Sequence, residues 1–292
     1  MSPTTAGPAG AASLRGLRTT VLLCDADGNL FPSEEPAFVA SADVTNAFLA
    51  EFGVERSFTA EELRLATTGK NFRTTAVDLA IAYGLPVEES LAARHPDAVT
   101  AAPGPGVLTA AALERWVQEE KRQVTRYLGS VLRPDPDVVD PLARLAEGFL
   151  MTVVSSSATA RLAACFRAAG LDPVFPETMR FSAEDSLPVP TSKPDPAVYL
   201  HACRQAGIDP RCGLAVEDSV VGARSAVAAG VPTVGNLQFV QPGERADRER
   251  GLREAGVLTV VASWGELEDM LAAAMGSAPG DHQRAAVTCR SL

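Results

Sequence analysis

Aromatic residues make up only 5% of the 292 positions, and there are three histidines. A hydrophobic core here must rest on Ala, Val and Leu. Three histidines, with no C-x-x-C pair among Cys24, Cys165, Cys203, Cys212 and Cys289, are too few for a zinc ligand set. The net charge is −10, which argues against nucleic acid or an anionic membrane surface as the main partner, because both need a basic face. No apolar run reaches membrane-spanning length. Met1 to Leu17 is rich in Ala, Gly, Pro and Thr and lacks the apolar stretch of a signal peptide. With an odd cysteine count, this predicts reduced thiols and a cytoplasmic location. No internal repeat is visible.

What is present is enough for a packed core. Hydrophobic residues form 46% of the chain and charged ones 21%, a composition that buries a core and is not disordered. Thr20-Val-Leu-Leu-Cys24 is a short apolar run that stops at Asp25, as expected of a strand buried on both faces. Phe149 to Val154 stops at Ser155, Gly213 to Val216 stops at Glu217, and Val231 to Gly235 lies just beyond. Helical patterns over about 137–147, 158–169, 196–206 and 220–229 alternate with these runs. Each stops at a glycine: Gly148, Gly170, Gly207 or Gly230. The alternation predicts a doubly wound parallel sheet, an α/β fold.

Residues 33–132 break the pattern. Helical stretches near 36–52, 60–66, 72–82 and 108–128 occur with no convincing strand, so this segment reads as an α-helical insert placed directly after the first strand. Pro103 and Pro105 mark a loop inside it. The expected organisation is a flexible tail over 1–17, an α/β core over 18–32 and 133–275, a helical cap over 33–132 and a second tail over 276–292.

Ligands of open α/β sheets bind beyond the carboxyl ends of the strands. Those ends carry Asp25, Asp27, Ser155, Glu217 and Asp218. Carboxylates crowded together repel unless a cation sits among them, and hard oxygen donors select magnesium. In Asp25-Ala-Asp27-Gly28, the first carboxylate can attack phosphorus. The second can protonate a leaving group and then activate water. Gly28 permits a sharp turn out of the strand. Ser155 and Ser156 open a Ser-Ser-Ser run before a helix, where hydroxyls and N–H groups suit phosphate oxygens; plain N-capping is the simpler alternative. Lys193, in a Lys-Pro dipeptide opening another helix, can neutralise the nucleophile and the phosphoryl group. Glu217 and Asp218 fit either a metal site or an acidic cap.

Taken in order, Asp-x-Asp-Gly, Ser, Lys-Pro and Glu-Asp resemble the four motifs of the haloacid dehalogenase superfamily. The resemblance is to its β-phosphoglucomutase and phosphoglycolate phosphatase branch, above all over Ala215 to Gly230. It covers residues from about 20 to 261 and implies a Rossmann-like core with an inserted helical cap. It further implies that Asp25 is nucleophile and magnesium ligand, and that Asp27 is acid/base with its carbonyl on the metal. Ser155 and Lys193 would hold the phosphoryl group, Asp218 would bind Mg2+, and Glu217 would lie in or next to the metal's coordination. Members that remove halide lack the second Asp, so Asp27 implies phosphoryl chemistry. Asn29 departs from the branch's usual Thr or Val, and Phe31-Pro-Ser-Glu34 departs from Asp-Ser/Thr-Glu.

In the insert, Thr68 to Arg73 loosely resembles the branch's substrate-closing cap loop, with Lys70 or Arg73 available to an anionic group. Gly69-Lys70 is not a nucleotide P-loop, because the earlier glycine is missing and Asn71 replaces Ser or Thr. The expected activity is a magnesium-dependent phosphatase acting on a small phosphorylated metabolite, as monomer or homodimer. The alternatives are a sugar phosphomutase using the same residues, and a retired enzyme acting as a binding or regulatory protein. Retirement is disfavoured because Asp25, Asp27 and Lys193 are all present.

Overall fold

A computed structural model describes residue 14 and residues 16–67, 71–93 and 95–275. The chain divides into two compact units. One comprises Met1–Pro32 with Leu132–Leu292, and the other Ser33–Val131.

In chain order, strand β1 (Val21–Cys24) is followed by helices α1 (Glu34–Glu51), α2 (Ala60–Thr67), α3 (Phe72–Ala82), α4 (Glu89–Ala92) and α5 (Ala110–Val131). The remainder alternates: α6 (Pro136–Leu145), β2 (Leu150–Ser155), α7 (Thr159–Ala168), β3 (Arg180–Ser182), α8 (Ala197–Ala206), β4 (Gly213–Glu217), α9 (Val220–Ala228), β5 (Thr233–Asn236), α10 (Arg245–Glu254), β6 (Thr259–Val261) and α11 (Trp264–Met275). Six parallel strands form one sheet in the order β3-β2-β1-β4-β5-β6, the doubly wound arrangement anticipated from the alternation.

β1 sits in the middle, with Val21 opposite both Leu150 and Gly213. Helices cover both faces of such a sheet, so its central strand is apolar at every position, and all four residues of β1 are buried. Burial of Leu22 and Leu23 contributes about 1.5–3 kcal/mol each. One face packs Val21, Leu23 and Val154 against Val198, Tyr199 and Ala202 of α8. The strand order reverses between β1 and β4, and ligands of open α/β sheets bind beyond the carboxyl ends of the strands at such a switch point. Sequence patterns overlooked β3, β6, α4, α10 and α11. The two strands are three residues each, too short to display a period.

The helical unit has its own core of Phe48, Leu49, Phe72, Val77, Leu113 and Trp116. Phe48 meets Trp116 edge-on, with ring centres 5.9 Å apart, so Trp116 is a packing residue. No helix among the described residues is long and apolar enough to cross a membrane. Cys24, Cys165 and Cys203 are buried free thiols, whereas Cys212 is disulfide-bonded, so the expectation of reduced thiols fails at that position.

Candidate active site

The first motif begins where β1 ends. The Asp25 N–H donates to the Val216 carbonyl at 3.0 Å, so β4 holds the residue in register one step beyond the strand. The chain then turns at Gly28, whose φ of +76° is the left-handed region, and the Gly28 N–H donates to the Phe31 carbonyl at 3.0 Å. Asn29 is fully buried beneath this turn. Its Nδ2 donates to the carbonyls of Asp25 and Val216, both at 3.0 Å, and its Oδ1 accepts from Asn236 Nδ2 at 2.9 Å. Trp264 Nε1 donates to the Asn29 carbonyl at 2.9 Å, so this tryptophan also serves structure.

Lys193 lies at the centre of the polar cluster. Its Nζ donates to Asp25 Oδ1, to Glu217 Oε1 at 2.6 Å and to the Val154 carbonyl at 2.8 Å. Three donors meet three acceptors drawn from the ends of β1, β2 and β4. Glu217 is completely buried, and the Lys193 side chain is 6% exposed. Tyr199 of α8 donates its hydroxyl to Glu217 Oε1 at 2.5 Å and places its ring 5.2 Å from the ammonium. Burial opposes a charge on Lys193, but Asp25 and Glu217 outweigh it and hold the ammonium firmly protonated. Burial pushes the Asp25 carboxyl up to about 8. Lys193 opposes that rise, while Glu217 and Asp27 add to it.

Asp218 follows Glu217, is also buried, and accepts from Arg248 Nη1 at its backbone carbonyl (2.8 Å) and at Oδ2 (3.4 Å). Carboxylate oxygens of Asp25, Glu217 and Asp218 all lie within 4.8 Å of one another. Three buried acids that close, one of them forced toward its neutral form, fit a cation with a preference for oxygen donors. Glu217 reaches this position because α9 presents Gly222 to it. A Cβ there would stand 2.0–2.4 Å from the Glu217 carboxylate atoms. Ser219 caps α9, accepting from the Gly222 N–H at 3.0 Å.

Asp27 lies across the turn from this group. Ser157 Oγ donates to its Oδ2 at 2.7 Å, and Arg161 Nη2 donates to its Oδ1 at 2.9 Å. Ser155, at the end of β2, is buried and accepts from the Ser157 N–H at 3.0 Å. Ser156 Oγ accepts from the Lys193 N–H at 3.1 Å. One face of the core thus brings together Asp25, Lys193, Glu217 and Asp218 in direct contact or near it. Asp27, Gly28, Ser155 and Ser156 belong to the same strand ends.

Lys70 lies outside the described residues. Arg73 is paired with Glu114 within the helical unit itself, and its side chain is 47% exposed. Sequence reasoning passed over Tyr199, Arg161 and Arg248. Arg161 stands only four residues beyond the Ser-Ser-Ser run, but its pairing with Asp27 spans 134 positions and has no local signature.

Comparison with known proteins places the chain. A family model described as hydrolase, haloacid dehalogenase-like hydrolase, matches residues 19–230. A solved haloacid dehalogenase-like protein of unknown function from Agrobacterium tumefaciens is 25% identical, with 89% of this chain and all of that one aligned at a TM-score of 0.59. A haloacid dehalogenase family hydrolase from Deinococcus radiodurans R1, solved with bound phosphate and sodium, is 26% identical; 90% of this chain and all of that one align, at a TM-score of 0.57. CbbY from Rhodobacter sphaeroides, solved with xylulose-(1,5)bisphosphate, shares the fold at 22% identity, covering 85% of this chain and 96% of that one, with a TM-score of 0.56. Among curated proteins, a CBBY-like protein of Arabidopsis thaliana is 36% identical over 93 residues, a match spanning 31% of this chain and 27% of that protein. The chain belongs to the haloacid dehalogenase-like hydrolases.

Proposed function

We propose that this hydrolase cleaves a small phosphomonoester, a sugar or organic-acid phosphate, with magnesium and through a phosphoryl group carried transiently on Asp25. The observation that carries the reading is the single buried ammonium of Lys193 shared between Asp25 and Glu217, beside a third acid at Asp218. A carboxylate held against a lysine at a sheet edge is a nucleophile beside its own counter-charge, and that charge can follow the transferred group.

In this scheme Asp25 attacks phosphorus, and the bond to the leaving oxygen breaks as Asp27 gives that oxygen a proton. Water then attacks the phosphorus of the aspartyl-phosphate, Asp27 takes the water's proton, and inorganic phosphate leaves with Asp25 restored. Ser155, Ser156 and the backbone at Gly28 hold the phosphoryl oxygens. Asp25, Asp218 and the Asp27 carbonyl would hold the magnesium, which supplies charge neutralisation for the incoming anion. Glu217 Oε1 is occupied by Lys193 and Tyr199, so its main work is to hold the lysine next to the metal. Lys70 and Arg73 are assigned to an anionic group of the substrate. The phosphate bound by the Deinococcus relative supports the class of ligand.

The test is phosphate release from a panel of phosphorylated metabolites, with magnesium and with chelator. Magnesium-dependent release is expected from a few of them, and Asp25→Asn should reduce it by at least about 1,000-fold while leaving the fold intact. Substantial activity in that variant would remove Asp25 from the role of nucleophile. Absence of release by folded, magnesium-supplied protein across the panel would overturn the phosphatase reading.

A further inference from the structure

Asp27 immediately precedes the turn at Gly28. Both of its oxygens are held by one segment of the chain. Ser157 and Arg161, flanking the start of α7, donate to Oδ2 and Oδ1 at 2.7 and 2.9 Å. The segment that carries Ser155 and Ser156 therefore also grips the second aspartate of the first motif. An arginine in the first turn of a helix is unfavourable, because the positive end of the helix dipole lies there. The side chains of Arg161 and Asp27 are 26% and 22% exposed, so the pair is partly buried. Local helix formation does not account for an arginine at this position, and the group it reaches is the Asp27 carboxylate.

We infer that Arg161 is a positioning residue for the reaction, acting with Ser157 to hold the Asp27 carboxyl in the orientation from which it serves the leaving group. The inference rests on the phosphatase reading above and assigns Arg161 no contact with substrate. Its consequence lies in how the rate depends on the leaving group. Proton donation by Asp27 matters most when the departing oxygen is strongly basic, so loss of aim costs most there.

The experiment compares kcat/KM for phenyl phosphate and 4-nitrophenyl phosphate in magnesium, for the full chain and for Arg161→Met, Arg161→Lys and Asp27→Asn. Arg161→Met is expected to lower kcat/KM about tenfold more for phenyl phosphate than for 4-nitrophenyl phosphate. Arg161→Lys, which retains one charged donor, should fall less, and added guanidinium should restore part of the Arg161→Met loss. In the Asp27→Asn background, Arg161→Met should change the rate by less than about twofold, because the group it aims is gone. An equal loss for both esters, or an undiminished effect in the Asp27→Asn background, would overturn the inference while leaving the phosphatase reading in place. Failure of the unaltered protein to release phosphate with magnesium from both esters and from the whole metabolite panel would instead count against the phosphatase reading, and the inference would fall with it.

Discussion

The Nζ of Lys193 lies 2.6 Å from Oε1 of Glu217, a carboxylate with no solvent exposure at all. The same ammonium binds Asp25, so a single cation compensates two buried acids at the ends of neighbouring strands. Interior ion pairs of this kind contribute little net stability when intact. Breaking one by removing a partner is costly, because a buried charge is left behind.

Lys193→Met should therefore affect folding as well as activity. We expect a loss of about 3 kcal/mol in unfolding free energy without magnesium, and a fall of at least about 100-fold in phosphate release. Adding Glu217→Gln to Lys193→Met should recover part of the stability and none of the activity. Denaturant titration of the single and double variants checks this, and equal stabilities for the two would show that Glu217 does not depend on the lysine.

The amount of this site that could be read in advance follows from how local each feature is. Asp25, Ser155 and Glu217 each end a mostly buried, largely apolar run of a parallel sheet, so their placement was visible residue by residue. The order of motifs then made Lys193 and Asp218 legible. Tyr199 was hidden because it sits on the apolar face of α8 and reads as core, which it also is. Arg161 and Arg248 carry no local signature; only the fold brings them to acids 134 and 30 positions away. β3 and β6 escaped because three residues carry no periodicity, and their pairing depends on strands far away in the chain.

Gly222 provides a second test of the cluster through space rather than charge. The nearest Glu217 atom would be 2.0 Å from an added methyl, and the carboxylate cannot yield without disturbing Lys193 and Tyr199. Gly222→Ala should cost about 1–3 kcal/mol through overpacking, and should reduce phosphate release by displacing the Lys193 ammonium. Gly243, where an added Cβ would meet nothing within 4 Å, serves as the control. If Gly222→Ala matches Gly243→Ala in melting temperature and rate, close packing of α9 on Glu217 is not what positions the lysine.

Asn29 allows the sharpest separation of stability from chemistry. It departs from the Thr or Val usual at this position in the branch the sequence resembles, and its amide does what neither could do. One NH2 group serves the carbonyls of both Asp25 and Val216, and the amide oxygen accepts from Asn236. Asn29→Val would leave the Asp25 carbonyl without this donor and the buried Asn236 amide without its acceptor, while the Val216 carbonyl keeps the Asp25 N–H, at a cost of about 1–3 kcal/mol. Replacing Asn236 by Val as well removes the stranded donor, so the double variant should be less destabilised than the sum of the two single variants. Activity should behave differently. The Asp25 carbonyl loses its tether in both the single and the double variant, so kcat should fall by a similar factor in each. Denaturant midpoints and kcat measured on the three variants decide the matter, and a kcat that recovers together with stability in the double variant would mean that Asn29 supports the fold without fixing the nucleophile.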